Sequence, residues 1–292
     1  MRVMLYDMGW PQVMASFAEG TRLFGHTTEI TDIENYAGPT PHDVIVTIEW
    51  GSNVERIHRD VHGQGRPTLA IHDAYIDRRG KGRYYSVARN CAHNYGDHIP
   101  LESAPGDRWK ALGAKLKPWR GAGTHILVAD QVEAQSVCGN GAVRPPWFTH
   151  VMEMLHRITE RPVRFRTHHG QDDPEGRYEA YRKVWLDSGG PPDQLVHSQG
   201  NRSKFTDDLR DAWAVLTYDS TAAVEAVLNG IPVFTGGRSM ADPVANKNLF
   251  DIERPAMVDR TQWAYWIAYA QWTEAEMRQG LPWRILIEAW RP

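Results

Sequence analysis

The chain has 292 residues, 41% of them hydrophobic and 24% charged, with a formal net charge of -3. That length suggests two domains of about 120 to 170 residues each, and the balanced composition excludes a disordered chain, a collagen and a coiled coil. No stretch approaches the roughly 18 consecutive apolar residues of a membrane span, and Asp7 interrupts the first apolar run before a signal-peptide core can form, so the expected location is cytoplasmic. Cys91 and Cys138 are too few for a disulfide framework or a four-thiolate zinc site.

In chain order, Arg2 to Tyr6 is a short apolar run, followed by a Gly/Trp/Pro break and an amphipathic stretch from Gln12 to Phe24, which reads as strand, loop and helix. A second such unit follows: Asp43 to Ile48 is β-branched and bounded by Pro41 and Gly51, with a helix over Asn53 to His62. Thr68 to Ile71 is a third strand. These strands end at Asp7, at Glu49-Trp50 and at His72-Asp73, and the carboxyl ends of parallel strands are where ligands gather. From 78 to 120 the pattern dissolves into Gly, Pro, Arg and Lys, and the domain boundary is expected near Trp119. Thr124 to Ala129 opens a second run of alternation. A helix over Trp147 to Thr159 leads to a strand over Val163 to Thr167, and a helix over Tyr178 to Asp187 to a short strand at Leu195-Val196. Then come a helix over Lys204 to Arg210, a strand over Ala214 to Thr217, a helix over Thr221 to Leu228 and a strand over Ile231 to Thr235. A Trp-rich helical tail runs from Arg260 to Trp290.

The nucleotide signatures GxxxxGK[ST] and GxGxxG are missing, which counts against kinases and dinucleotide-dependent dehydrogenases, and no Asp-x-Asp pair is present to hold a divalent ion. His58 and His62 are four residues apart, but without a Glu in the HExxH position or a third ligand they read as solvated helix-surface histidines rather than a metal site. No metal is expected. The sharpest segment runs from Ala214 to Val233: a buried strand enters Asp219-Ser220-Thr221, a helix follows and ends at Gly230, and Pro232 opens the next strand. Hydroxyls and free amides at such a junction bind phosphate oxygens without a metal, and they serve equally well as a plain helix cap; the local sequence leaves both readings open.

This segment resembles the donor-binding motif of GT-B glycosyltransferases, especially the capsule-type Kdo transferases and bacterial sialyltransferases, in which a strand, a Ser/Thr pair and a helix precede a Gly-x-Pro-Val strand. Arg164 to Gly170 resembles their Arg-x-His-Pro motif, with His168-His169-Gly170 where the family has His-Pro. From about residue 68 to 290 the chain is also similar to glycosyltransferase-like proteins of bacteriophages, through Ala74 to Arg79, Leu116 to Arg120, Ile126 to Gln131 and Tyr269 to Gly280. The resemblance implies an α/β fold of two Rossmann-like domains facing a central cleft. Residues 1–119 would form the acceptor-side domain and 120–260 the nucleotide-sugar donor domain, with 261–292 a helical tail crossing back over both. It implies metal-independent transfer of a sugar from a nucleotide sugar, a UDP-sugar, to hydroxymethylated pyrimidines in phage DNA. No other cofactor is expected, and the location would be the host cytoplasm.

On that reading Ser220 and Thr221 bind the donor phosphates, His168 or His169 donates to them, Glu225 accepts ribose hydroxyls and Gln131 reaches the donor. Asp73 is the first choice for the base and Asp7 the second. Asp77 comes third, because Arg78 or Arg79 beside it would lower its pKa. Residues 78–120 contain ten Lys/Arg against three Asp/Glu, a local balance of +7, with Tyr84, Tyr85, Tyr95, Trp109 and Trp119 interleaved. Cations on phosphate and rings on bases suit nucleic acid, which nominates Arg78, Arg79, Lys81, Arg83, Arg89, Lys115, Lys117 and Arg120; the other reading is a basic linker with its rings in a core. Alternatives are a polysaccharide or glycolipid acceptor, a non-catalytic nucleotide-sugar or nucleic-acid binding relative, and an epimerase on the same fold. Of 12 tryptophans, those of the tail are expected to pin the two domains together, while Trp10, Trp50, Trp109 and Trp119 are candidates for stacking on a base or sugar.

Overall fold

The computed structural model describes residues 1–48, 51–76, 83–90, 96–131 and 147–289. The chain divides into two compact units. Among the described residues the first comprises 1–114 together with the segment from Thr261, and the second comprises 115–131 and 147–260.

The first unit is built on β1 (Arg2–Asp7), α1 (Pro11–Arg22), β2 (Thr27–Asp32), β3 (Val44–Ile48), α2 (Ser52–His62), β4 (Thr68–Asp73), β5 (Tyr84–Arg89) and α3 (Asp107–Leu112). Its six-stranded sheet has β2, β1, β3 and β4 parallel in that spatial order, and β5 antiparallel to β4. Alternation decides the two faces. Val3 and Leu5 pack with Val13, Met14 and Phe17 of α1, while Met4 and Tyr6 pack with Val54, Ile57 and Val61 of α2. The helices therefore cover opposite faces, and the strand order reverses between β1 and β3, the switch point at which open α/β sheets bind ligands.

Three strands of this sheet are not among those expected from the sequence; β5 lies in the stretch 78–120 where no element is expected, although its Tyr85, Val87 and Ala88 are buried. β2 is a mostly exposed edge strand whose Thr and Glu side chains give no apolar alternation, so it is held by its ladder to β1. The tail, expected to be helical throughout, contains a strand: α8 (Thr261–Tyr269) is followed by β11 (Gln271–Thr273), antiparallel to β5, and then by α9 (Glu274–Arg278) behind a Thr273–Glu276 capping box. Trp272 and Trp283 are buried in the core of the first unit. His58 is also not a surface residue. It is 4% exposed, with Nε2 at 2.8 Å from the Thr47 hydroxyl and Nδ1 at 3.0 Å from that of Thr68.

The second unit contains β6 (His125–Ala129), α4 (Trp147–Ile158), β7 (Val163–Thr167), α5 (Pro174–Asp187), β8 (Leu195–Gln199), α6 (Phe205–Leu209), β9 (Ala212–Thr217), α7 (Ala222–Leu228) and β10 (Val233–Thr235). Its five strands are all parallel, in the spatial order β10-β9-β6-β7-β8. Counted within the unit this is 5-4-1-2-3, a doubly wound order with its switch point between β6 and β9. The architecture is thus α/β with two Rossmann-like units. The boundary falls just before the expected Trp119 because Lys117 and Arg120 donate their backbone N–H groups to Leu228 and Gly230, at 3.0 and 2.7 Å, inside the second unit. Among the described residues no helix is long and apolar enough to cross a membrane.

Candidate active site

In the second unit three neighbouring strands, β9, β6 and β7, deliver the expected donor residues at their carboxyl ends. The Gln131 carboxamide, 1% exposed, is a brace across the switch point. Its oxygen accepts from the Asp219 N–H at 2.8 Å and the Thr217 hydroxyl at 3.2 Å, and its nitrogen donates to the Asp219 carboxylate. Gln131 therefore shapes the β9 loop, with its amide committed inside the protein. The Ser220 hydroxyl, half-buried, accepts from the Ala222 N–H at 3.2 Å, whereas Thr221 at the cap position makes no side-chain cap bond. Glu225 lies one turn along α7, half-buried. Gly230, at φ +73° with the Pro118 carbonyl oxygen 2.0 Å from where a Cβ would sit, ends α7 tightly before β10.

On the other side of β6, His168 and His169 follow β7 with ring centroids 4.1 Å apart. His168 Nδ1 accepts from the Gly170 N–H at 3.0 Å, which leaves Nε2 as the protonated nitrogen of the neutral ring. Of the two motif arginines, Arg166 is buried and joins Arg164 on Asp208, and it also donates to the Ser203 hydroxyl and carbonyl at 2.7 Å each. Beside Gln131, the fully buried Asp130 carboxylate takes Arg177 through two bonds at 3.0 and 3.1 Å. Neither network is conspicuous in the sequence, because the partners lie about 40 residues apart and meet only across the sheet.

In the first unit the two describable base candidates differ. Asp73 ends β4 opposite Tyr85 of β5, and the antiparallel register brings Arg83, two residues before Tyr85, onto the same face. The Arg83 guanidinium meets the Asp73 carboxylate at 2.9 Å and lies over the rings of Trp10, at 4.2 Å, and Tyr85, at 5.2 Å. Burial pushes the Tyr85 phenol up, while Arg83 opposes the shift. Asp7, at the end of β1 and next to the switch point, accepts the Trp10 N–H at 2.8 Å through one oxygen, across a turn that Gly9 permits at φ +95°. Among the described residues Asp7 pairs with no cation. Asp77 lies outside the described residues, as do Glu49 and Trp50.

Of the nominated basic residues, Arg78, Arg79 and Lys81 also lie outside the described residues. Arg120 is turned inward onto the carbonyls of Leu209 and Ala212, at 2.8 and 2.7 Å, and burial lowers the pKa of the half-buried Arg89. Lys115 and Lys117 are exposed, the latter bonding Asn229 at 2.8 Å. Trp119 lies under the Arg260 guanidinium at 3.8 Å and donates to the Val258 carbonyl at 2.8 Å, so its face is already used. Arg108 of the same stretch is bound to Glu276 and to the carbonyls of Ala268 and Gln271. Among the described residues no group of three His, Cys, Asp or Glu is placed to hold a metal. A cavity of about 740 Å³ in the second unit lies at the opposite, amino-terminal end of β6 and β7, where Glu253 ties down Arg161 at 3.1 Å.

No protein-family model matches the chain and no curated protein matches its sequence. Among solved structures, the chain is similar to the β-Kdo 2,4 transferase of Thermosulfurimonas dismutans KpsC at 13% identity, over 93% of this chain and 91% of that one, with a TM-score of 0.47. The β-Kdo 2,7 transferase of the same protein gives 11% identity over 96% and 98%, with a TM-score of 0.46. The Methanocaldococcus jannaschii UDP-GlcNAc 2-epimerase gives 8% over 80% and 83%, with a TM-score of 0.32. With every one of these TM-scores below 0.5, the likenesses carry no argument about activity.

Proposed function

We propose that the protein is a glycosyltransferase that takes a sugar from a nucleotide sugar, a UDP-sugar, and passes it without a metal to hydroxymethylated pyrimidines in DNA. The observation that carries the proposal is the second unit's switch point. A five-stranded doubly wound sheet presents Ser220 and Thr221 after β9 and His168 and His169 after β7, on either side of β6, which leads into Gln131. Hydroxyls, a backbone loop fixed by Gln131 and a donating imidazole nitrogen suit the diphosphate of a departing nucleotide, whose charge they would stabilise as it develops. Gln131 sets the shape of this loop, and Glu225 is the group for the ribose hydroxyls.

The acceptor half belongs to the first unit, with Asp7 as the base that takes the proton of the acceptor hydroxyl. Asp7 is favoured over Asp73 because it ends β1 beside the switch point and is oriented by the Trp10 N–H at 2.8 Å, with no cation on it among the described residues. Arg83, at the carboxyl edge of the first unit, and Lys115, exposed on the second, are the nominated cations that support a DNA acceptor. The inward commitment of Arg108 and Arg120 favours the second reading, a polysaccharide or glycolipid acceptor.

The test is incubation with hydroxymethylated DNA and a panel of nucleotide sugars, followed by digestion to nucleosides and mass spectrometry. A hexose or pentose mass gain on the modified pyrimidine is expected, and it should be absent from Asp7→Asn. No gain with any donor overturns the DNA reading, and full turnover by Asp7→Asn overturns the base.

A further inference from the structure

The Arg83 guanidinium is held from two sides in different ways. Trp10 and Tyr85 form an edge-to-face pair with centroids 5.8 Å apart, and the guanidinium lies over both rings. That support does not depend on any carboxylate. The Asp73 contact is a single bond from one guanidinium nitrogen to one carboxylate oxygen, between side chains that are 43% and 37% exposed. A solvated ion pair with one contact contributes little to stability, so the carboxylate is the exchangeable partner and the arginine the fixed one. The Asp73 backbone stays in place in either case, since its carbonyl accepts from the Ser86 hydroxyl at 3.1 Å within the β4–β5 ladder.

We propose that Arg83 is the anion-binding residue of the acceptor site and that Asp73 is a resident stand-in, its carboxylate occupying the place that a phosphate of the acceptor takes. The proposal deepens the reading of the first unit as the acceptor half and rests on it. A phosphate presents several strong acceptor oxygens to the planar guanidinium and can engage two of its N–H groups where Asp73 engages one. When the phosphate arrives, Asp73 rotates away and Arg83 stays on Trp10 and Tyr85. The chemistry recognised is an oxyanion. Its source on this reading is the phosphate of a nucleotide unit, and a sugar carboxylate is the rival source.

The experiment is an NMR titration of the whole protein that follows the Trp10 indole N–H, assigned from the Trp10→Phe spectrum, so that binding elsewhere does not register. Thymidine 5′-monophosphate, thymidine and glucuronate are the probes, with no nucleotide sugar present. Asp73→Asn should bind the monophosphate about fivefold more tightly than the unsubstituted protein, because the competing carboxylate is gone. Arg83→Ala should lose about tenfold or more, and Arg83→Lys should fall between the unsubstituted protein and Arg83→Ala, since an ammonium makes no bidentate contact. Thymidine should respond to none of these changes. An unchanged or weaker affinity in Asp73→Asn, or an unchanged one in Arg83→Ala with its other indole resonances still dispersed, overturns the proposal. A response to glucuronate in place of the monophosphate overturns the phosphate assignment. These outcomes are read without transfer, so failure here leaves the sugar-transfer reading standing, and failure of transfer leaves this result intact.

Discussion

The carboxyl edges of the two sheets are built on opposite plans. In the second unit the strand ends are stitched together by buried polar groups: Gln131 holds Asp219, Arg177 holds Asp130, and Arg166 holds Asp208. In the first unit the corresponding edge carries a solvent-accessible pair, Asp73 with Arg83, and the carboxylate of Asp7, fixed by a backbone N–H. A buried, mutually satisfied network has one arrangement and is expensive to disturb, whereas an exposed pair exchanges partners cheaply. Under the proposed function, the contrast would give a preformed donor loop on one unit and an adaptable acceptor edge on the other.

Three measurements bear on that contrast, and a fourth tests the buried histidines of the first unit. The largest effect is expected from Asp208→Ala, which leaves the buried Arg166 charge without its carboxylate; the loss should be about 3–5 kcal/mol in denaturant unfolding. A loss below about 1 kcal/mol, the scale of a surface pair, would remove the distinction between the two edges. Next, Gln131→Ala strands the Asp219 N–H and the Thr217 hydroxyl in the interior and should cost about 1–3 kcal/mol, with a parallel loss of nucleotide affinity by calorimetry because the β9 loop is no longer fixed.

Acid titration tests the histidines. Burial lowers the pKa of His58 to about 3 and that of His98, packed on the Trp266 ring, to about 4. Both rings stay neutral in the folded state, while in the unfolded chain they take up protons below about pH 6.5. Stability is therefore fully present above that pH and lost as pH falls toward the folded values, by up to about 1.4 kcal/mol per pH unit for each ring. Thermal unfolding midpoints that stay level from pH 7 to pH 5 would contradict the assignment. The smallest effect belongs to the exposed edge. Arg83→Ala should change unfolding stability by no more than about 1 kcal/mol, and a larger loss would show that the pair is structural rather than exchangeable.

Much of the architecture was legible in the sequence because it is written in local patterns. The β-branched run ending at Ile48, the alternation of Val3 and Leu5 with Met4 and Tyr6, and the strand-loop-helix segment around Asp219-Ser220-Thr221 each announce their own element. β2 is mostly exposed and β11 is only three residues long, so neither shows an alternation and both are held by pairing with β1 and β5, while β5 itself lies in a stretch whose Gly, Arg and Lys residues hide it. The reading of His58 failed for a related reason. An imidazole on a helix reads as polar until two threonine hydroxyls from neighbouring strands are found at its nitrogens.

The candidate site divides along the same line. The chain order of strands, the placement of Asp7, Asp73, His168 and Ser220 after them, and the local excess of positive charge are properties of the sequence alone, since each is set within a few residues. Whether a carboxylate is available or already paired is set by residues that the register brings together: Arg83 to Asp73 across an antiparallel ladder, and Gln131 to Asp219 across 88 positions of chain. Only the tertiary structure decides such pairings, because a side chain's partner is fixed by distance in space, and the strand pairing that sets this distance is not contained in any local stretch of sequence.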